Sequence, residues 1–306
     1  MSADRRTLLA VPATPLAPVA LDGGPAVWCK LDFLNPSGST KDRIARYILG
    51  KAWRQGRLRP GDRVVEASSG STSIAMAMAC AQLGLGFLAV MPEGVSNERV
   101  LIIRAYGGEV RFTAKGDGVR GAIAEAERLA GEGYFLPRQF SNSDNAEAHR
   151  VGTAREILDQ IPGGTVGVVV SGVGTGGTLV GLFEGFLETG CPVVPVLARP
   201  VNVVAKREAE CCSFSGRIPG VVDSLSKIFC PERLPGLRTI EVDDEVAIET
   251  TRRLIRLGYP VGPSSGLNYV AAMEVARRLG ETGGPVVTVF PDRMERYFTT
   301  ELFKCV

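Results

Sequence analysis

The sequence predicts an α/β protein in which parallel sheets are covered by helices on both faces. One observation is that several short runs, such as 166–170 (VGVVV) and 193–197 (VVPVL), are almost entirely apolar. Strands with this pattern are buried on both faces, as the strands of parallel sheets are. A second observation is that segments with helical spacing, such as 244–256, separate these runs. Strands that alternate with helices along a chain are typical of parallel α/β architectures.

Each element is assigned from its own residues, and turn-forming residues separate one element from the next. Pro92 ends one strand, and Gly107 with Gly108 ends the helix that follows it. The predicted strands are 27–34, 64–66, 87–91, 109–113, 166–170, 193–197, 239–242 and 286–290. The predicted helices are 44–49, 74–80, 97–106, 119–130, 145–160, 179–187, 244–256 and 268–279. Residues 199–237 are expected to be mostly loop with one short helix.

The composition and charge exclude several classes of protein. Of the 306 residues, 45% are hydrophobic and 22% are charged, as in globular proteins. The net charge of +2 creates no field that would favour nucleic acid or an anionic membrane. No apolar run approaches the ~20 residues that cross a bilayer. The residues before Pro12 are expected to be an ordinary N-terminus rather than a signal peptide.

The cysteines and the single histidine argue against disulfides and metal sites. The seven cysteines are odd in number, scattered and without C-x-x-C spacing, which is typical of a protein of the reducing cytoplasm. His149 is the only histidine, so neither a histidine-based metal site nor a Ser-His-Asp triad is expected. We interpret His149 as a surface or interdomain residue rather than a catalytic one.

A turn with a lysine at its end, residues 35–43 (NPSGSTKDR), joins the first predicted strand to a helix. Ser39 or Thr40 can cap that helix, which places Lys41 in the first turn, at the positive end of the helix dipole. Arg43 adds like charge nearby. These effects, together with burial, are expected to lower the pKa of Lys41 and to leave a free amine, which Schiff-base formation with an aldehyde cofactor requires. The alternative is an ordinary lysine at a helix start.

A glycine-rich loop, residues 171–178 (SGVGTGGT), lies between a buried strand and a helix. Glycines let the backbone curl so that several N–H groups point at one anion, and the helix start adds partial positive charge. The hydroxyls of Thr175 and Thr178 add donors. The loop therefore predicts a phosphate site.

The same loop leaves two alternatives open. It satisfies G-x-G-x-x-G, the pattern of dinucleotide sites, but the acidic residue expected after the next strand is missing. Arg199 stands there instead, and it could suit a 2′-phosphate. A P-loop is excluded because no Gly-Lys-Ser/Thr follows. The second alternative is a tight turn with no ligand.

Two further loops of small residues open predicted helices. The loop 68–73 (SSGSTS) follows a strand, where open α/β sheets bind ligands, and its hydroxyls and amides could hold a carboxylate. The loop 262–266 (GPSSG) would, taken alone, be a helix cap. For the loop 68–73, the alternative is likewise a helix cap, in which the remaining serines bind no ligand.

Taken together, these segments resemble the fold-type II pyridoxal-phosphate enzymes, specifically the cysteine synthase (O-acetylserine sulfhydrylase) and cystathionine β-synthase group. The matching motifs occur in family order and cover nearly the whole chain. They are 35–43 (NPSGSTKDR), 69–73 (SGSTS), 139–142 (QFSN), 174–178 (GTGGT), 263–266 (PSSG) and 295–300 (ERYFTT).

The resemblance implies a set of site residues and an architecture. The cofactor, pyridoxal 5′-phosphate, would be held by Lys41, Ser71, Gly174, Thr175, Gly176, Gly177, Thr178 and Ser264. The amino-acid substrate would be held by Ser68, Ser69, Gly70, Thr72 and Gln139. The implied fold has two three-layer α/β domains with the cofactor in the cleft between them. The larger domain would comprise 1–34 plus 146–306 and the smaller one 35–145, in a homodimer, with no metal.

The implied reaction is β-replacement on O-acetylserine or O-phosphoserine through an aminoacrylate, with sulfide as the nucleophile and L-cysteine as the product. Lys41 would serve as the general base. A serine at the ring nitrogen suits elimination and replacement more than transamination. The alternatives are β-elimination, as by a cysteine desulfhydrase or a serine/threonine dehydratase, and replacement with homocysteine or an amine. A catalytically silent binding protein on the same scaffold is the alternative outside enzymes.

Three departures from the family pattern leave the donor and the nucleophile open. The family's loop asparagine, which contacts the 3′-oxygen of the cofactor, is Ser71 here, and the last glycine of that loop is Ser73. Where the group often has Gly-Ile-Gly, this chain has 219–223 (PGVVD), and Asp223 could favour a cationic second substrate or be a surface residue. Both Ser264 and Ser265 could face the pyridine nitrogen.

Overall fold

The computed structural model describes residues 11–201, 217–221 and 225–304. The described strands are β1 (Leu16–Val19), β2 (Val27–Lys30), β3 (Arg63–Ala67), β4 (Gly86–Pro92), β5 (Glu109–Thr113), β6 (Val168–Ser171), β7 (Val194–Val201), β8 (Arg238–Asp243) and β9 (Val286–Val289). The described helices are α1 (Lys41–Arg54), α2 (Ser71–Leu83), α3 (Asn97–Ala105), α4 (Gly118–Ala130), α5 (Asp144–Ala148), α6 (Ala154–Gln160), α7 (Gly177–Glu188), α8 (Asp244–Arg256) and α9 (Pro263–Leu279). None of these helices has the length and apolar character needed to cross a membrane.

The larger sheet has six strands in the order β1-β2-β9-β6-β7-β8. Among the described strands of this sheet, β1 and β2 pair antiparallel and all other neighbours pair parallel. The central strands β6 and β9 are buried at every position, as their apolar runs predicted. Helices α8 and α9 cover one face with a core that includes Tyr269 and Phe290, and α6 and α7 cover the other with Phe183 and Phe186.

The smaller sheet consists of the parallel strands β3, β4 and β5. Strand β4 is buried on both faces: Phe87 and Met91 pack under the helices α1, α2 and α3, whereas Leu88 and Val90 pack under α4. The α/β class with parallel sheets covered on both faces is therefore confirmed. The domain boundaries at residues 35 and 145 stay a prediction.

The edge of the larger sheet differs from the prediction. Residues 27–34 do not form one strand, because β2 ends at Lys30 and a 3-10 turn spans Asp32–Leu34. The turn brings the buried Asp32 carboxylate to the Arg43 guanidinium, 2.8 Å away, and the apolar neighbours of Asp32 hid this turn in the sequence. Strand β1 was missed since it is a short edge strand that contains Pro18, where proline weakens the strand signal.

The predicted helix 145–160 is interrupted by a π-helical turn, His149–Thr153. His149 does not lie on the surface, since it is 1% exposed. Its Nδ1 lies 3.0 Å from Thr153 Oγ1 and its Nε2 lies 3.3 Å from Thr178 Oγ1. Burial, with smaller effects from Arg43 and Lys41, lowers the pKa of His149 to about 3, so the imidazole is neutral. The surface part of the interpretation was wrong, because one polar residue in a helical pattern does not reveal what packs over it, and the interdomain part stays a prediction.

The predicted loop region is described only in part. Strand β7 continues to Val201, four residues beyond its predicted end at 197, and a 3-10 turn forms at Pro231–Arg233. Cys211, Cys212 and Cys305 lie outside the described residues. Cys29, Cys80, Cys191 and Cys230 are free thiols.

Candidate active site

One cavity lies where strand ends of the two sheets meet. The loops that follow β3, β6 and β9 all contribute to its wall, which is where parallel α/β sheets bind ligands. The sequence-predicted residues that line it are Lys41, Ser68, Ser69, Ser71, Thr72, Gln139, Gly174, Thr175, Gly176, Thr178 and Ser264. Gly70 and Gly177 lie in the same loops but do not form part of the wall.

Lys41 is the first residue of α1 and extends into the cavity. Its backbone N–H donates to Ser39 Oγ at 3.3 Å, and Thr40 makes no side-chain cap. Burial lowers the pKa of Lys41, while the negative charges of Asp292 and Asp32 act in the opposite direction. A lowered pKa leaves more of the free amine that attacks an aldehyde.

The expected like-charge effect of Arg43 on Lys41 is offset by the pairing of Arg43. Its guanidinium lies 2.8 Å from Asp32 and 2.7 Å from Glu156, and all three side chains are largely buried. Burial of the amine, rather than Arg43, is therefore the cause that lowers the pKa of Lys41.

The glycine-rich loop packs so closely against its neighbours that side chains at its glycine positions would clash. A Cβ at Gly174 would lie 2.2 Å from the carbonyl oxygen of Gly220. Gly176 has φ +80°, and a Cβ there would lie 2.5 Å from Phe229 Cβ. Helix α7 begins directly after Gly176 without a side-chain cap, so its first-turn N–H groups carry partial positive charge toward the cavity. These residues fit the phosphate of pyridoxal phosphate.

Asn145 connects this loop to the other side of the cavity. Its Nδ2 donates to Thr175 Oγ1 at 2.9 Å and to the carbonyl of Gln139 at 2.8 Å. A Cβ at Gly177 would lie 1.9 Å from Asn145 Oδ1, which explains why a second glycine follows Gly176. Sequence reasoning missed Asn145, because nothing in its neighbourhood distinguishes it from other helix-start asparagines.

The loop that opens α2 is held in place by hydrogen bonds to neighbouring segments. Thr72 Oγ1 donates to Gln139 Oε1 at 2.6 Å, and Gln139 Nε2 donates to the carbonyl of Ala67 at 2.6 Å. Gly70 N–H donates to Ser68 Oγ at 2.9 Å. Gly70 is the N-cap residue and offers no side-chain cap, so the α2 N-terminus is open to an anionic group.

Asp292 and Tyr297 complete the wall beside Ser71. Ser71 Oγ donates to Asp292 Oδ2 at 3.2 Å, and the Tyr297 hydroxyl donates to the same oxygen at 2.6 Å. Asp292 Oδ1 is buried with no partner among the described residues. Sequence reasoning missed Asp292, although its place just after a buried strand, at the carboxyl edge of the sheet, was a usable signal.

Of the two candidate serines in the loop 262–266, Ser264 borders the cavity and Ser265 does not. Ser265 is fully buried. The nearby Asn268, also missed from the sequence, accepts from Gly172 N–H at 2.7 Å and donates to the carbonyl of Val289 at 2.8 Å. Asn268 therefore ties α9 to the loop after β6 and to the end of β9.

Three further predictions concern the residues that set substrate choice, a metal ion and a dinucleotide. Pro219, Gly220 and Val221 line the cavity, whereas Val222 and Asp223 lie outside the described residues. No cluster of His, Cys, Asp and Glu suited to a metal ion occurs in the described part of the chain. Arg199 does not line the cavity and pairs with Glu241 at 3.5 Å. It is therefore not placed to meet a ligand of the glycine-rich loop.

Comparison with known proteins gave consistent matches along nearly the whole chain. The family model of the pyridoxal-phosphate dependent enzymes matches residues 7–292. A cysteine synthase of Staphylococcus aureus is 38% identical over 299 residues, which cover 95% of this chain and 94% of that protein. A hydrogen sulfide-producing enzyme from Fusobacterium nucleatum has a TM-score of 0.86 at 31% identity, covering 96% of this chain and 90% of that one. An O-acetylserine dependent cystathionine beta-synthase from Helicobacter pylori has a TM-score of 0.84 at 29% identity, covering 99% of each chain.

Proposed function

Because the chain belongs to the pyridoxal-phosphate dependent enzymes, we propose that it catalyses β-replacement on O-acetylserine or O-phosphoserine, with sulfide as the nucleophile and L-cysteine as the product. The protein is a homologue of cysteine synthases and its cofactor is pyridoxal phosphate, as the motifs predicted. The chain is therefore an enzyme, and the interpretations as a dinucleotide protein and as a silent binding protein are set aside.

The observation that carries the proposal is that Lys41 lines the same cavity as two loops that each open a helix without a side-chain cap. Gly174 to Thr178 would hold the cofactor phosphate, and Ser264 would meet the pyridine nitrogen. The loop from Ser68 to Thr72, with Gln139, would hold the substrate carboxylate. Bound pyridoxal phosphate supplies an electron sink for the α-carbon of an amino acid. Lys41, with its lowered pKa, would take the α-proton of the substrate as a general base.

The second candidate is β-elimination, in which the product is released without a second substrate. It is favoured by the similarity to a hydrogen sulfide-producing enzyme. We further propose that the enzyme is cytoplasmic, which the scattered cysteines favour. We also propose that it is a homodimer, as the resemblance implies.

A product assay with purified holoenzyme separates the two candidates. O-acetylserine, O-phosphoserine, L-serine and L-cysteine are each supplied with and without sulfide, and L-cysteine and pyruvate are quantified. L-cysteine formed only from an O-substituted serine and sulfide supports β-replacement. Pyruvate formed at the same rate with and without sulfide would assign the enzyme to β-elimination.

Borohydride reduction should fix the cofactor on the peptide that contains Lys41. Label on another lysine would show that Lys41 is not the lysine that binds the cofactor.

A further inference from the structure

Arg99 is a buried cation on the wall of the cavity, and no predicted role accounts for it. The residue lies in the first turn of α3 and is 7% exposed. Its NH1 donates to the carbonyl of Ser69 at 3.2 Å, and its guanidinium carbon lies 5.1 Å from the centre of the Tyr297 ring. Its Nε is buried and has no hydrogen-bond partner among the described residues.

No carboxylate of the described chain neutralises this guanidinium. The adjacent Glu98 is engaged elsewhere, because its carboxylate accepts from Thr299 N–H at 3.0 Å and from the Thr299 hydroxyl at 3.1 Å. Asp292 accepts from Ser71 and Tyr297 and forms no ion pair with Arg99. A buried charge without a partner is unfavourable, so its presence beside a cavity indicates that an anion binds there.

The position of Arg99 identifies which part of the cavity it serves. Its side chain packs across Gly70, where a Cβ would lie 2.4 Å from Arg99 Cδ and 2.7 Å from Nε. Gly70 is the N-cap of α2, whose first-turn N–H groups have no side-chain cap. The guanidinium and the open helix start therefore act on the same loop, and their positive charges add.

We propose that Arg99 is a specificity-determining residue that selects the α-carboxylate of the amino-acid donor at the loop from Ser68 to Thr72. Its charge favours the carboxylate, and its hydrogen bond to Ser69 holds the loop that receives it. The inference rests on the proposed function only in naming the donor as an amino acid. It requires no particular leaving group and no particular nucleophile.

The test uses holoenzyme and two probes that have no leaving group at the β-carbon, L-alanine and L-alaninamide. Binding is followed by the change in the cofactor absorbance, so the result does not depend on which reaction the enzyme catalyses. Arg99→Gln should raise the dissociation constant of L-alanine at least tenfold, and Arg99→Lys should raise it less. L-alaninamide, which lacks the carboxylate, should bind equally to all variants. Arg104→Gln, at the exposed far end of the same helix, is the matched control.

Cofactor content and thermal midpoint show whether each variant is folded. If Arg99→Gln does not retain cofactor, the pair Arg99→Lys and Arg99→Met supplies the comparison of a charged with an uncharged side chain. Equal L-alanine affinity in the charged and uncharged variants would overturn the proposal. Weakened binding of O-phosphoserine alone would also overturn it, because Arg99 would then recognise the leaving group. If L-alanine binding weakens as expected while no L-cysteine forms in the product assay, the proposed function fails and this inference stands.

Discussion

Ser71 Oγ donates a hydrogen bond to Asp292 Oδ2 over 3.2 Å, which joins the first residue of α2 to a residue three positions beyond the end of β9. The two residues are 221 positions apart in the chain. The single proton of the Ser71 hydroxyl is used in this bond, so Ser71 can offer only an acceptor to any other group in the cavity. An asparagine at this position, as in the family pattern, would have two donors and one acceptor.

We expect Ser71→Asn to narrow the range of accepted donors or nucleophiles without lowering cofactor content. The longer amide fills space beside the substrate and can donate to the 3′-oxygen of the cofactor, which should restrain the ring. The measurement compares activity across a panel of donors and nucleophiles at equal cofactor occupancy. Ser73→Ala, at a buried position of the same loop that does not line the cavity, is the control. Identical selectivity in all three proteins would show that position 71 does not influence substrate choice.

Gly176→Asp should abolish cofactor retention, because its side chain would meet Phe229 and its charge would repel the phosphate. Gly190→Asp is a matched control: Gly190 has nearly the same φ, +81° against +80°, but nothing lies within 4 Å of its Cβ position. Cofactor absorbance of the purified proteins is measured. Retention in the control with loss in Gly176→Asp assigns the effect to the loop rather than to backbone strain. Equal cofactor retention in both variants would show that this loop does not bind the phosphate.

Asn145→Ala should weaken the binding of both the cofactor and the substrate carboxylate. The substitution removes the two hydrogen bonds that connect Thr175 with Gln139, each of which contributes about 1 kcal/mol. We therefore expect each dissociation constant to rise by about fivefold per lost bond. Equilibrium dialysis of pyridoxal phosphate and spectral titration with L-alanine are the measurements. Asn97→Ala, at an exposed position, serves as the control. A change in only one of the two dissociation constants would contradict the connection of the two binding loops through Asn145.

Acid should destabilise the protein through His149. In the folded state the pKa of His149 is about 3, against its ordinary value of 6.5, because burial disfavours the charged imidazole. Between these values the unfolded chain binds a proton that the folded protein does not. Stability should therefore fall as pH decreases below 6.5, by up to about 1.4 kcal/mol per pH unit.

His149→Gln isolates this effect, since glutamine is neutral at every pH and can still hydrogen-bond Thr153 or Thr178. Denaturant unfolding of both proteins is measured between pH 7 and pH 4. The acidic groups are common to both proteins, so their own contributions largely cancel in the difference. Asp32, whose pKa of about 2 includes a small effect of His149, titrates below the measured range. The difference in the free energy of unfolding between the two proteins should change steadily with pH. A difference that is constant with pH would show that His149 is not held neutral.

The sequence was informative wherever the determining contacts are local. Apolar runs revealed β6 and β9, and the glycine pattern of the loop 171–178 corresponds to backbone positions that a Cβ would block. Helix α1 begins at Lys41, as the turn residues before it predicted. Where a local pattern was ambiguous, the prediction was wrong: the apolar residues around Asp32 resembled a strand, and His149 resembled a surface residue.

The sequence by itself therefore determined the fold class, the family resemblance and the loops around the cavity, because strand burial, helix starts and glycine conformations depend on neighbouring residues. Only the tertiary structure showed that Arg99 faces Ser69, that Asn145 joins Thr175 to Gln139, and that Asp292 meets Ser71. Except for the bond from Asn145 to Gln139, these contacts join residues 30 or more positions apart. Such pairings depend on how helices and sheets pack against one another. No pattern within a short stretch of sequence records that packing, so the charges and hydrogen bonds that adjust the site became visible only in the folded chain.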